Sequence, residues 1–251
     1  MKRVYIFLAA CALMAGCVHV TINNDNNDEE YGPAVTRVYT IDGTYDELEV
    51  SHAFDVTMSD TATAATVTIG EALHDRVVFR VEEGTLKIGL KTGHYKNINK
   101  ASVVLPVNRS LCEIELSGAS SFTSDINLTA SEISIDLSGA AHFDGSIEHN
   151  GELDVELSGA STATITGTTY LMEIDISGAS TLDASDLDAT TVKGEVSGAS
   201  TASALCCDLI KVDVSGASHL SYSTIADGCT PKVDCPTSGA SSVTRLNNFN
   251  R

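Results

Sequence analysis

The sequence predicts an all-β protein that folds as a right-handed parallel β-helix, a solenoid with coils of about 20 residues. Three observations favour this fold. A Ser-Gly-Ala turn recurs along the chain, apolar and polar residues alternate before each turn, and an apolar position follows it at a fixed distance. Because a solenoid stacks one structural unit many times, regular recurrence of such a unit is its primary sequence signal.

The Ser-Gly-Ala turn occurs seven times at intervals of 18 to 23 residues. Its serines are Ser117, Ser138, Ser158, Ser177, Ser197, Ser215 and Ser238. Glycine permits a left-handed backbone or a close approach between coils, and the small residues beside it let neighbouring turns stack. The period is too short for helix-based solenoids, and the Leu-x-x-Leu-x-Leu pattern of leucine-rich repeats is absent.

The residues before each turn read as a strand with one buried face, because apolar and polar positions alternate with a period of two. The position directly before the serine holds Leu116, Leu137, Leu157, Ile176, Val196 and Val214. A second apolar column lies five residues after the serine and holds Phe122, Phe143, Ala163, Leu182, Ala202, Leu220 and Val243. The chain therefore turns and re-enters the core, and we expect the first four residues of the first column to form one inward stack.

The N-terminal half carries a degenerate copy of the unit. Residues 48–53 match residues 114–119 with His52 in place of glycine, and the offset of 66 residues predicts a separation of three coils. Residues 66–69, 77–81, 86–90 and 103–105 read as strands, and Glu83-Gly84 reads as a hairpin turn. We therefore assign residues 36–251 to one β-helix domain, with irregular coils or a cap over 36–110 and regular repeats over 111–251.

The N-terminus reads as an export signal. Lys2 and Arg3 precede an apolar run over residues 4–13, which is too short to span a bilayer. Met14-Ala15-Gly16-Cys17 then resembles a lipobox, so we predict a lipoprotein signal peptide over 1–16 and lipid attachment at Cys17. Cys11 also fits the pattern but leaves a shorter apolar run. Residues 17–35 are predicted to be a lipidated, acidic, flexible tether.

Composition limits the classes of partner. A net charge of −19 disfavours nucleic acid and anionic membrane surfaces. The absence of Trp and an aromatic content of 5% weigh against a polysaccharide-active cleft. The cysteines lack the paired spacing of a zinc site, and Cys229 and Cys235 could form a disulfide in an oxidising envelope.

An acidic column lies two residues before each serine. It holds Glu115, Asp136, Glu156, Asp175, Glu195 and Asp213, with Glu49 in the degenerate copy. The first four are expected to point outward, one per coil, and form the only candidate cation site. Calcium is the cation that such a row of carboxylates would bind, because it takes oxygen ligands. The alternative is a solvated face that keeps the sheet soluble. No other cofactor is expected.

Several segments resemble the head GIN domain family of auto-transporter adhesins. They are Phe54-Asp55-Val56, Gly84-Thr85-Leu86, Leu105-Pro106 and the serial Ser-Gly-Ala-Ser turns. The resemblance implies a single-chain β-helix in the envelope of Bacteroides-type bacteria, without an established enzymatic activity.

The sequence therefore predicts a non-catalytic binding, adhesion or scaffold module of the cell envelope. As an outer-membrane lipoprotein, periplasmic or surface-exposed, it would meet the membrane through its lipid and bind an unidentified protein or glycan. The alternative is a polysaccharide-active β-helix enzyme, in which a groove should break the repeat. The repeat columns run almost unbroken, and the turn serines occupy one equivalent position without an adjacent base, so no catalytic residue is assigned.

Overall fold

The computed structural model describes residues 31–96, 98, 101–224 and 229–246 of the chain. It confirms the all-β parallel β-helix with coils of about 20 residues. The predicted signal peptide and Cys17 lie outside the described residues. Within them no helix is long and apolar enough to cross a membrane. The elements are β1 (Ala34–Tyr39), β2 (Glu47–Val50), β3 (Phe54–Ser59), β4 (Ala65–Gly70), the 3-10 helix η1 (Glu71–Arg76), β5 (Val77–Glu82), β6 (Thr85–Leu90), β7 (Ala101–Pro106), β8 (Glu113–Leu116), β9 (Ser121–Leu128), β10 (Glu132–Leu137), β11 (His142–Glu148), β12 (Glu152–Leu157), β13 (Thr162–Ile176), β14 (Thr181–Val196), β15 (Thr201–Val214), β16 (His219–Ser223), β17 (Lys232–Asp234) and β18 (Ser242–Arg245).

Each regular coil has two sides, which meet at the Ser-Gly-Ala turn. The A side comprises the strand segments that precede the turns, in β8, β10, β12, the second halves of β13 to β15, and β17. The B side comprises the segments that follow the turns, in β9, β11, the first halves of β13 to β15, β16 and β18. All these pairings are parallel, and β13 to β15 run continuously from the B side around a corner to the A side.

Both predicted apolar columns lie in the core. Leu116, Leu137, Leu157 and Ile176 are partners in direct register and are at most 1% exposed, which confirms the inward stack. On the B side Phe122 and Phe143 stack with ring centroids 5.7 Å apart. Alternation of buried and exposed positions along each strand thus places one residue column inside and the next outside.

The degenerate N-terminal copy aligns with the regular repeats as predicted, but the predicted separation of three coils was wrong. Leu48 pairs directly with Ile114, and Val50 with Leu116, so β2 and β8 belong to adjacent coils. The expected separation of three coils does not occur, because the intervening chain crosses to the other edge of the β2–β3 coil. There β6 pairs with β2, and β7 pairs with β3. The β2–β3 coil is therefore inserted between coils that follow it in sequence.

Antiparallel strands close this end of the solenoid. β5 pairs with β6 through the predicted Glu83-Gly84 turn, both residues of which have positive φ, and β4 pairs with β7 and β1. η1 adds the buried residues Leu73 and His74. β1 begins at Ala34 and is buried there, inside the stretch assigned from sequence to the tether.

The disulfide links Cys207 to Cys229, with Cα atoms 4.9 Å apart, and Cys235 is free. The suggested Cys229–Cys235 pair is therefore wrong. The alternation of inward and outward side chains along β15 explains the Cys207–Cys229 pair. Cys206 points into the core, so Cys207 faces outward, where Cys229 reaches it. Cys235 is half-buried and packs against the core, because it follows β17 in the inward column.

Candidate binding surface

The acidic column lies on the outside of the A side. Glu115, Asp136, Glu156 and Asp175 pair in direct register on four consecutive strands, and all four are exposed. Glu49 continues the column on one side, and Glu195 and Asp213 continue it on the other. We call this set the carboxylate column. Parallel strands lie about 4.8 Å apart, so each carboxylate has a like charge as its nearest neighbour along the stack.

A lysine terminates the column at its N-terminal end. Lys87 of β6 is in register with Glu49, and its Nζ lies 2.6 Å from Oε2 of Glu49. This hydrogen bond raises the pKa of Lys87. Among the described residues it is the only ion pair formed by a member of the carboxylate column. Within the described part of the chain, no other member has a cationic partner at ion-pair distance.

Burial, together with nearby like charges, raises the pKa of two carboxyl groups on this surface. Burial first, and then Glu113, Asp136 and Glu49, raise the pKa of Glu115. Burial, followed by Glu152, Glu173 and Glu156, likewise raises the pKa of Asp154. Both shifts show that the negative charges of neighbouring columns act on one another, so a bound cation would relieve their repulsion.

The tightest cluster of carboxylates lies beside the column rather than in it. One carboxylate oxygen each from Glu152, Asp154 and Glu173 lie within 4.8 Å of one another. Asp154 pairs with Glu173 across adjacent strands, and Glu152 lies two residues before Asp154 on the same side of β12. Calcium prefers six to eight oxygen ligands at about 2.3–2.6 Å, so three carboxylates with water fit its chemistry.

Sequence reasoning missed this cluster because it examined one column at a time. The signal that could have found it is the run Glu152-Leu153-Asp154, in which two acidic residues face the same side, opposite Glu173 on the next coil. We call the outward surface of β8, β10, β12 and the A-side part of β13 the carboxylate face. It carries the cluster and the first regular members of the column.

The negative charge of the A side is concentrated on these coils. Glu173 pairs with Lys193, and Lys193 pairs with Lys211, so lysines replace acids in the column next to the carboxylate column. A shallow groove runs along the face from Ser134 and Glu152 to these two lysines. The carboxylate face therefore has a defined boundary in the middle of the solenoid.

The Ser-Gly-Ala-Ser turns are structural. The second serine of the motif is buried in five of the copies, at Ser120, Ser161, Ser180, Ser200 and Ser218. The hydroxyl of Ser120 donates to the backbone oxygen of Ser117 at 2.7 Å. The first serine makes a similar contact with the preceding coil, as from Ser158 to the Leu137 oxygen.

The chain is similar in sequence to one protein family. A family model described as "Putative auto-transporter adhesin, head GIN domain" matches residues 44–225. The chain belongs to the head GIN domain family. The matched residues include the β2–β3 coil and most of the regular repeats, so the resemblance seen in the sequence is confirmed. No curated protein sequence matches the chain.

Solved structures share the fold of this head GIN domain. A "putative adhesin" from Bacteroides fragilis is 17% identical with a TM-score of 0.70, and covers 86% of this chain and 97% of its own. A "putative lipid binding protein" from Parabacteroides distasonis is 21% identical with a TM-score of 0.65, and covers 85% of this chain and 96% of its own. A "putative adhesin" from Parabacteroides merdae is 17% identical with a TM-score of 0.65, with coverages of 85% and 96%. At these identities the similarity shows the fold alone.

Proposed function

We propose that this head GIN domain protein is a non-catalytic binding module of the cell envelope, tethered by a lipid, and that the carboxylate face is its binding surface. The observation that carries the proposal is the exposed column of carboxylates in direct register across consecutive coils. The family description and the adhesin names of the structural neighbours support a binding role at the cell envelope or surface.

The chemistry of the face selects its ligands. Uncompensated carboxylates attract divalent cations and basic protein partners, and repel nucleic acid. Glu152, Asp154 and Glu173 are the residues expected to hold calcium, because their oxygens are already close together. A flat strand surface supplies few ligands per ion, so the affinity should be weak and should fall with ionic strength.

Isothermal titration calorimetry of the mature chain with calcium chloride tests this assignment. We expect a saturable signal that Glu173→Gln abolishes, since the variant removes one charged ligand. Asp144→Asn is the control, because Asp144 is an exposed acid on the B side, outside the carboxylate column and its face. Absence of heat with the wild-type chain, or an equal loss in both variants, would contradict a calcium site at the cluster.

The tether is tested separately by membrane fractionation. Cys17→Ala should move the protein from the membrane to the soluble fraction, because several acyl chains on one cysteine give stable anchoring. Cys11→Ala is the control and should remain in the membrane fraction. The reverse pattern would show that the cleavage site is at Cys11. Protease added to intact cells then distinguishes a surface-exposed module, which is degraded, from a periplasmic one.

A further inference from the structure

A second polar site lies at the corner where the B side bends into the A side, away from the carboxylate face. It is a cleft of about 340 Å³ formed by three consecutive coils. Its lining residues are Glu148, His149, Asn150, Thr168, Thr169, Asp188 and Thr190. Glu148 pairs with Thr168, and Thr168 pairs with Asp188, so the coil stacking itself aligns these side chains.

Two buried polar atoms of this cleft have no partner. Nε2 of His149 and Oδ1 of Asp188 are buried and form no hydrogen bond within the part of the chain that the structure describes. Buried polar groups are nearly always paired, so two orphan atoms on residues that line one cleft indicate a missing partner. The volume of the cleft is typical of a small-ligand site, so the missing partner need not be a macromolecule.

The tautomer of His149 defines what the partner must offer. The backbone N–H of Gly151 donates to Nδ1 of His149 at 2.8 Å, so the neutral ring carries its proton on Nε2. Burial lowers the pKa of His149, which keeps the ring neutral. Nε2 is therefore a donor in search of an acceptor, whereas Oδ1 of Asp188 is an acceptor in search of a donor.

These requirements exclude several ligand classes. A metal ion needs a free lone pair, which the protonated Nε2 does not have. Anions such as phosphate are repelled by Glu148 and Asp188. An ammonium or guanidinium group has donors only, and cannot satisfy Nε2–H. A hydroxyl group is both donor and acceptor, so a ligand with several hydroxyl groups meets both needs.

An exposed aromatic residue lies on the strand segment that lines the cleft. Tyr170 is 53% exposed, the most exposed large hydrophobic residue among those described. It lies between Thr169, which pairs with Ala189, and Leu171, which pairs with Thr191, so it is opposite Thr190 of the cleft. A phenol ring offers an apolar face with a polar edge, a suitable platform for the C–H face of a sugar ring.

We propose that this corner cleft binds a neutral sugar, with Tyr170 stacking on the ring and His149 and Asp188 hydrogen-bonding its hydroxyl groups. Solvent does not reach the two orphan atoms, so a ligand contacts them only when the side chains that cover them move aside, while the His149 ring keeps its hydrogen bond from Gly151. The low aromatic content of the chain is no obstacle, since one exposed ring at the cleft is sufficient. The corner cleft shares no lining residue with the cluster or the groove of the carboxylate face.

Saturation-transfer NMR of the mature chain tests the proposal, with the methyl glycosides of glucose, galactose, mannose and N-acetylglucosamine as probes at millimolar concentration. At least one probe should receive saturation, and its binding should shift the ring signals of His149. Tyr170→Ala and Asp188→Ala should each weaken binding by about tenfold or more, because they remove the platform and the acceptor. Tyr170→Phe, which keeps the ring, and Glu195→Gln, on the same strand as Asp188 but outside the cleft, should bind as the wild type does.

Two results would overturn the proposal. One is the absence of saturation transfer to all four probes, or transfer that Tyr170→Ala leaves unchanged. The other is a crystal structure grown with the probe that shows ordered water alone on Nε2 of His149 and Oδ1 of Asp188. Calcium binding at the carboxylate face is unaffected in either case.

Discussion

The glycine of each Ser-Gly-Ala turn is required by its position as well as by its conformation. At Gly159 the backbone has a φ of 73°, and a Cβ atom would lie 2.5 Å from the carbonyl oxygen of Gly139 in the preceding coil. That oxygen accepts a hydrogen bond of 2.7 Å from the N–H of Ala160. His52 adopts a similar φ of 77° in the same column, but at that level no glycine turn is stacked beneath it.

Gly159→Ala should therefore destabilise the chain by about 1–3 kcal/mol from backbone strain, with a further cost from the close contact. Urea unfolding followed by circular dichroism measures this change. His52→Gly is the contrasting variant. It removes the backbone strain of a non-glycine residue with positive φ, so any loss of stability should be smaller than for Gly159→Ala. An unchanged unfolding midpoint for Gly159→Ala would contradict the stacked-turn geometry.

His74 gives the cap a dependence on pH. Its Nε2 lies 2.8 Å from the backbone oxygen of Val35, and its Nδ1 lies 3.1 Å from the hydroxyl of Tyr39, an arrangement that suits the neutral ring. Burial is the main cause that lowers the pKa of His74 below its ordinary value. Since the unfolded chain then binds the proton more readily, the stabilisation is present above the unfolded pKa, about 6.5, and is lost as the pH falls.

Urea unfolding at a series of pH values between about 8 and 5 should show a falling midpoint below about pH 6.5. His74→Gln should flatten this dependence, although His149 contributes in the same direction because burial lowers its pKa as well. His142→Gln is the control, since His142 is exposed. A slope equal to that of the wild type in His74→Gln would show that His74 is not its source.

At the scale of elements, stability depends on the continuity of the inward columns. Leu157 of β12 is 1% exposed and lies between Leu137 and Ile176 in the stack. Leu157→Ala leaves a cavity that neighbouring coils can fill only in part, so the expected cost is about 2–5 kcal/mol. Glu156→Gln is the adjacent control on the exposed face and should leave stability unchanged or improved. A small loss for Leu157→Ala would contradict the buried stack.

The repeat explains how much of the elements could be predicted. Turn serines and alternating columns give the strand positions and their register, because each coil copies the previous one. The insertion of the β2–β3 coil could not be predicted in this way, since its neighbours β6, β7, β8 and β9 are set by long-range pairing. The Cys207–Cys229 link has the same origin: it depends on which side of the corner each thiol faces.

The sites also differ in how far the repeat made them predictable from the sequence. The carboxylate column was visible in the sequence because its members share one repeat position. The cluster of Glu152, Asp154 and Glu173 combines two columns and two coils, and the corner cleft arises from residues that the repeat does not constrain. His149 and Asp188 lie two coils apart and in different columns, so only the stacking of three coils brings them to one cleft.

At the scale of the whole molecule, the solenoid separates different surfaces. Antiparallel strands close the N-terminal end, the carboxylate face occupies the neighbouring coils, and Lys193 and Lys211 mark its boundary. The first coils are thus the most negative part of the A side. This arrangement presents a regular charged surface along the first coils of the A side.

A crystal structure of the mature chain grown in millimolar calcium, with the ion located by its anomalous scattering, tests the carboxylate face most directly. We predict an ion about 2.3–2.6 Å from carboxylate oxygens of Glu152, Asp154 and Glu173, with water completing its coordination. Glu173→Gln crystals should lack this ion. A wild-type structure without an ion at these residues, or with calcium bound only elsewhere, would contradict the assignment of the face as a calcium-binding surface.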